Sequence, residues 1–406
     1  GYKSFDYYSA GVNVLIDKFL PRRDWLNQLK WRGSWSVVGN PIPNTLFARQ
    51  SYDFSNGTIS TRPPLFDDPQ PETTTSFETG LDVWMFENKF NFDLTYYNST
   101  LRNQFLYVTT ANGESKPVNT GKIRNYGLEF QASYRWNINK DWRWQTGFNI
   151  AWNDNRILET YKTESGAPYE VQMGPNAFKI KYVEGGRYGD IYVNSFARDE
   201  NGHIKINDAG NYENAVPVMA SGKYETKVGN MTSPVTLGWN NTFTWKNFTL
   251  YFLIDGRIGG KVMSLTEADL DLYGLSERSA QDRLNGERVM QNGKEYILKP
   301  LPDGSGNKVS VENYYTTIGA LPMEDHVYNA TSLRMRDISL SYDMPNLFGK
   351  NQGMTAQFSV KNAFFIYKDS PVDPDISVSA ANGYSGIDCY SLPTTRSFAL
   401  TLKFNF

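Results

Sequence analysis

The sequence has 406 residues, with 41 Lys and Arg against 43 Asp and Glu, so the formal net charge is -2. A near-neutral chain lacks the basic surface that displaces counterions from nucleic acid, which excludes that partner class. One cysteine, Cys389, excludes a disulfide framework, and no apolar run is long enough for a membrane-spanning helix. Period-two alternation of apolar and polar residues predicts eleven strands, near 5–18, 26–39, 73–86, 90–108, 122–138, 142–158, 233–245, 248–263, 330–344, 354–367 and 395–406. Val12, Val14 and Ile16 open the series, followed by Leu29, Trp31, Trp35 and Val37. The next strands, Phe77 to Met85 and Phe90 to Tyr96, flank Glu87-Asn88-Lys89. Leu128, Phe130, Ala132, Tyr134 and Trp136 then face Trp142, Trp144, Phe148, Ile150 and Trp152 across Asn139-Lys140-Asp141, a hairpin turn. Val235 to Trp245 and Phe248 to Ile254 flank Lys246-Asn247. Leu333 and Met335 are out of phase with Ile338, Leu340 and Tyr342, which predicts a bulge near Asp337. The last strand is the clearest: Phe398, Leu400, Leu402, Phe404 and Phe406 point one way, and Ser397, Ala399, Thr401, Lys403 and Asn405 the other.

The connections alternate in length. Short ones fall near 19–25, 87–89, 139–141, 246–247 and 345–353, and long ones near 40–72, 109–121, 159–232, 264–329 and 368–394. Aromatics make up 15% of residues while the mean hydropathy is only -0.53. That combination suits strands that are apolar towards lipid and polar towards a lumen, with aromatics at both interfaces. Short turns on one side and long loops on the other is the layout of bacterial outer-membrane barrels. The expected fold is therefore all-β, a transmembrane antiparallel barrel with long extracellular loops. Eleven strands as an open sheet leave two bare edges in hydrocarbon, where each unpaired backbone group costs several kcal/mol. The chain is thus expected to supply about eleven C-terminal strands, with 1–406 as one half-barrel closing against strands and a plug not in this sequence. Gly1-Tyr2-Lys3-Ser4 is no signal peptide, so an export signal is expected upstream.

Several segments resemble one family. Thr331 to Pro345 (TSLRMRDISLSYDMP) resembles the penultimate hairpin of SusC/RagA-like TonB-dependent outer-membrane transporters. Ser359 to Asp375 (SVKNAFFIYKDSPVDPD) is similar to their Asn-aromatic segment and acidic Asp-Pro loop, and Leu392 to Phe398 to their entry into the final strand. Glu72 to Gly80 and Val118 to Glu129 resemble two further segments, and the terminal Phe406 resembles an outer-membrane assembly signal. The resemblance implies a 22-stranded barrel in the bacterial outer membrane and an N-terminal plug. It also implies a SusD-like lid lipoprotein and TonB-driven import of a bulky glycan or peptide. Different readings are a surface adhesin that binds without transport, and a siderophore-type TonB-dependent receptor.

Enzyme chemistry finds little support. His203 and His326 are far apart, and no HExxH or Cys/His cluster exists. Gly260-Lys261 fails as a P-loop, because Asp255 and Val262 replace the required Gly and Ser/Thr. No cofactor is expected, although Asp199-Glu200-Asn201-Gly202 leaves calcium in a loop open against the simpler turn. Asp373-Pro374-Asp375 reads as an Asx-turn before a metal site. Loop aromatics Tyr52, Tyr188, Tyr192, Tyr273, Tyr314, Tyr315 and Tyr384 are candidates to stack on substrate or touch a lid. Glu129, Arg135, Arg143, Arg334, Arg336 and Lys403 are candidates to line the lumen.

Overall fold

In the computed structural model the described residues are 6–41, 51–55, 58–62, 70–109, 115–163, 166–167, 169–173, 178–220, 224–321, 324–350, 352–375 and 386–405. The alternating segments form one eleven-stranded antiparallel sheet: β1 Tyr8–Leu15, β2 Leu26–Asn40, β3 Glu72–Met85, β4 Phe90–Thr109, β5 Ser115–Asn137, β6 Trp142–Glu159, β7 Val235–Trp245, β8 Phe248–Ile258, β9 Ser332–Gly349, β10 Gln352–Lys368 and β11 Ser397–Asn405. Each strand pairs with its neighbours in chain order, so the sheet runs up and down from β1 to β11. Among the described residues nothing covers the outer edge of β1 or of β11.

The register carries the apolar alternation from strand to strand between β1 and β7. Val14, Trp31, Leu81, Leu94, Phe130, Ile150 and Leu237 lie opposite one another in turn. Nearer the tight turns, Trp142, Trp245, Phe248, Tyr342, Ala356 and Leu402 form a second row. In this row Trp142 stacks on Trp245 at 5.6 Å and Trp245 on Phe248 at 6.0 Å, the kind of aromatic belt that sits at a membrane interface. Leu400 is 71% exposed and Phe398 66%. An apolar face of this extent has its stable place in lipid rather than water.

The tight turns use left-handed backbone. Phe86, Glu87 and Asn88 have φ of 54°, 58° and 62°, and Lys246 has φ of 53°, which reverses the strands in two to four residues. The bulge expected near Asp337 is present: Leu253 faces Asp337 but Ile254 faces Met335, so Arg336 is the extra residue.

Four boundaries differ from the sequence reading. Ile16–Phe19 is a 3-10 turn rather than the end of β1. β8 stops at Ile258, because Gly259 and Gly260 take φ of 75° and 80° and turn the chain out of the sheet. Lys261–Ser264 is then a separate strand of the loops. The supposed loop 109–121 mostly extends β4 and β5, which pair as far as Thr109 and Ser115. Likewise β9 and β10 continue through most of 345–353.

The long connections fold rather than wander. Connection 259–331 carries helices α1 Leu265–Leu272, α2 Glu277–Asn285 and α3 Val311–Ala320. Ser264, Ser276 and Ser310 cap them, each hydroxyl accepting from the backbone N–H three residues on. One apolar cluster joins Ile123 and Ile157, at the upper ends of β5 and β6, to Phe178, Ile180, Ile191, Met263 and Ile387 from three connections. A second joins Phe196 and Ile204 of connection 160–234 to Leu301, Val309, Val311, Tyr314, Tyr315 and Ile318 of connection 259–331. These connections therefore make one roof, seated on the strand ends opposite the tight turns.

Candidate functional site

The polar face of the sheet and the roof above it form the candidate site. At its upper end, three arginines of the wall meet three aspartates. Arg257 pairs with Asp375. Arg334 pairs with Asp373 and lies 3.4 Å from Asp375. Arg336 reaches Asp255 at 2.6 Å and Asp375 at 2.7 Å. Burial raises the Asp375 pKa, but the hydrogen bond from Arg336 and the charges of Arg257 and Arg334 outweigh it, and the carboxyl is held below its usual range. Arg334 and Asp373 are almost fully buried. The Asp373-Pro374-Asp375 segment does make the Asx-turn, with the Asp375 N–H donating to Asp373 Oδ1 at 3.0 Å. Its larger effect is to clamp the last long connection onto β8 and β9.

A second polar hub holds the roof together. Asp271 of α1 is fully buried. It accepts from Ser276 Oγ at 2.5 Å, from Arg278 of α2 through Nε at 3.1 Å and through Nη2, and pairs with His326 Nε2 at 2.9 Å. Burial pushes this carboxyl up, yet the bonds from His326, Arg278 and Ser276 prevail and leave it lowered. Tyr314 donates to Asp325 and Tyr315 to Asp282, both at 2.6 Å, and burial raises the pKa of both phenols.

The sequence candidates separate into groups on this structure. Arg334 and Arg336 are in the clamp just described. Glu129 and Lys403 stand on the polar face of β5 and β11, opposite Thr95 and Thr355. Arg135 and Arg143 line a hollow beside the 138–141 turn with Lys140, Gln145 and Thr242, and among the described residues neither has a carboxylate within ion-pair distance. Tyr188 stacks on Tyr182 at 4.7 Å, and Tyr192 lies under Lys181 at 5.0 Å. Tyr314 and Tyr315 are each 3% exposed. The expectation that they touch lid or substrate is corrected: they are the core of the roof, and their hydroxyls are engaged within it. Tyr273, at 72% exposure, is fully available. Tyr384 and the side chain of Tyr52 lie outside the described residues. Asp199 uses Oδ1 to accept from the N–H groups of Asn201 and His203 at 2.9 Å, which is turn geometry.

Sequence reasoning missed Arg257, Asp255, Asp271 and Arg278. The helices of the hub could have been found: Val311, Tyr314, Tyr315 and Ile318 have i, i+3, i+4, i+7 spacing behind a serine cap. The Arg–Asp pairings left no comparable signal.

A family model described as TonB dependent receptor-like, beta-barrel, matches residues 2–252. The chain belongs to this family. Its members are outer-membrane β-barrels, receptors and transporters rather than enzymes. "TonB-dependent receptor P3" of Formosa agariphila is 23% identical over 100% of this chain and 42% of its own length. "TonB-dependent receptor SusC" of Bacteroides thetaiotaomicron is 24% identical over 99% of this chain and 40% of its own. The chain thus spans well under half the length of these curated relatives. Among solved structures, that of the RagAB peptide transporter superposes with a TM-score of 0.70 at 17% identity, covering 98% of this chain and 43% of that one. The likeness is one of fold.

Proposed function

We propose that this chain is the C-terminal wall and roof of a TonB-dependent importer that carries a bulky oligomer, glycan or peptide, across the bacterial outer membrane. In this reading a SusD-like lipoprotein is the lid, an N-terminal plug fills the lumen, and the TonB complex acts through the plug. The observation that carries it is the asymmetry of the sheet. All the folded insertions lie at one end, opposite the tight turns, where they form a roof with its own cores. The last connection of the roof is held to the inner wall through Asp373 and Asp375. The roof also keeps Tyr273, Leu275 and Leu284 at 72%, 71% and 76% exposure, which suits a surface that a lid covers.

The test uses surface changes that spare the roof core. Tyr273→Ala and Leu275→Ser with Leu284→Ser in the full-length transporter should reduce recovery of the lid lipoprotein about tenfold and slow growth on the cognate oligomer, by loss of buried apolar contact. Normal lid recovery and normal import in both variants would remove the support for this reading. It is a milder test than deleting 275–312, which would also remove Leu301, Val309 and Val311 from the second core.

A further inference from the structure

Strands joined by a tight turn inherit their register from the turn, whereas β2 with β3, and β6 with β7, are joined by long connections and cannot. A slip of one residue would turn the apolar face inward and is rejected by hydrophobicity alone. A slip of two residues keeps every side chain on its own face, so the alternation does not reject it. Something more specific must.

On the lipid-facing side of β6 and β7, Trp144 Nε1 donates to Asn241 Oδ1 at 3.0 Å, and Trp239 Nε1 donates to Thr146 Oγ1 at 2.9 Å. Thr146 and Asn241 are directly opposite each other, so the two indoles close on one polar pair from opposite directions. Asn241 is fully buried and its Nδ2 makes no protein hydrogen bond, so its contribution here is as an acceptor. The pair is sealed by rings: Trp144 stacks on Phe243 at 5.7 Å, and Trp239 meets Phe252 edge-on at 5.7 Å. On the polar side the same two strands are keyed by size. Gly147 is opposite Asn240 and Gly238 is opposite Asn149. A Cβ on Gly147 would come within 2.8 Å of Asn240 Oδ1, and one on Gly238 within 2.9 Å of Asn149 Oδ1.

The β2–β3 pair repeats the device. Trp31 Nε1 donates to Thr79 Oγ1 at 2.9 Å, and Thr79 is opposite Gly33. A Cβ on Gly33 would come within 3.2 Å of the Trp31 ring, so the indole crosses over the space that glycine leaves. All three indoles reach the residue opposite the position two further along their own strand. Among the described residues these are the only indole hydrogen bonds between strands, and none spans a pair joined by a tight turn.

We infer that Trp144–Asn241 and Trp239–Thr146, with Trp31–Thr79, are register keys: they reject two-residue slips in β2–β3 and β6–β7, two of the four strand pairs whose connections are too long to set the register. Either two-residue slip would place Thr146 and Asn241 opposite aromatic residues and break the diagonal geometry on which both indole hydrogen bonds depend, in a setting where hydrocarbon offers no replacement acceptor. The inference rests on the face assignment and not on the transport reading.

The test is cross-strand disulfide formation in the full-length barrel in the outer membrane, in a Cys389→Ser background. Gln145→Cys with Thr242→Cys reports the native register, in which these residues are opposite. Gln145→Cys with Asn240→Cys, or with Thr244→Cys, reports the two slips. Without further change only the first pair should cross-link. In Thr146→Val/Asn241→Leu the slipped pairs should rise at least tenfold at the expense of the native one. If that variant does not assemble, Trp144→Phe/Trp239→Phe decides, since it keeps the ring stacking and removes only the donors. Native cross-links alone in the assembled variant would overturn the inference. As a control, removing the Thr249–Thr244 hydroxyl contact of the tight-turn pair β7–β8, 3.5 Å on the polar face, by Thr244→Val/Thr249→Val should produce no slipped product.

Discussion

Replacing Asp271 with Asn should open the roof while leaving the sheet intact. The side chain keeps its size, but the fully buried hub loses the charge that answers Arg278 and pairs with His326. Removing one partner of a buried pair costs about 3–5 kcal/mol, most of it from the charge left behind. Arg278 retains 33% side-chain exposure, so water relieves part of that burden and the lower figure, about 3 kcal/mol, is expected. At 1.4 kcal/mol per decade this is roughly a hundredfold increase in the open population. Hydrogen exchange in the full-length protein in detergent reads it directly. Amides of α1 and α3 should exchange about a hundredfold faster, while those of β4 to β6 stay as they were. Unchanged exchange in α1 and α3 would refute the hub. Equal acceleration in roof and sheet would refute the idea that the roof is a separately held unit.

Three further outcomes follow from the same contacts. Asp271 and Asp375 both have lowered pKa values in the fold. Their stabilisation is fully present above the ordinary carboxylate value of about 3.9 and is lost as pH falls through the lower folded values, so protease sensitivity of the roof should appear only well below pH 4, and onset near pH 6 would contradict it. Arg334→Met should release the last long connection by leaving Asp373 buried without its partner, at about 3–5 kcal/mol, and should be visible as a new cleavage within 369–375. Leu400→Arg near the bilayer midplane should cost about 2–4 kcal/mol in folding titrations, while Lys403→Leu on the polar face should cost less; equal costs would undo the register.

The sheet was legible because each strand repeats one rule over many residues. Phe398, Leu400 and Leu402 need no partner to declare their face, and even the bulge at Arg336 showed as a phase change between Met335 and Ile338. The roof was less so. Its cores form only where connections 160–234 and 259–331 meet, so Phe196 and Tyr314 carry no sequence mark of their 6.4 Å approach. Tyr314 and Tyr315 read as loop aromatics because no helix is assigned in the 264–329 loop, although their helical spacing is in view. The clamp was half legible: Asp373-Pro374-Asp375 did read as a turn, but its arginines come from β8 and β9, and nothing in local spacing links such distant positions. Arg135 and Arg143 are placed on the polar face by alternation alone, and the register sets them opposite Gln145 and Asn137.

The central claim is that one face of this sheet meets lipid and the other a lumen. It is tested most directly by single cysteines at 398 to 403 of β11 in a Cys389→Ser background, each carrying a fluorophore, in the full-length barrel reconstituted in vesicles with lipid-borne quenchers. Positions 398, 400 and 402 should be quenched by the lipid probe and not by a water-soluble one, and positions 399, 401 and 403 should show the reverse. Quenching that does not alternate along these six residues would contradict the account.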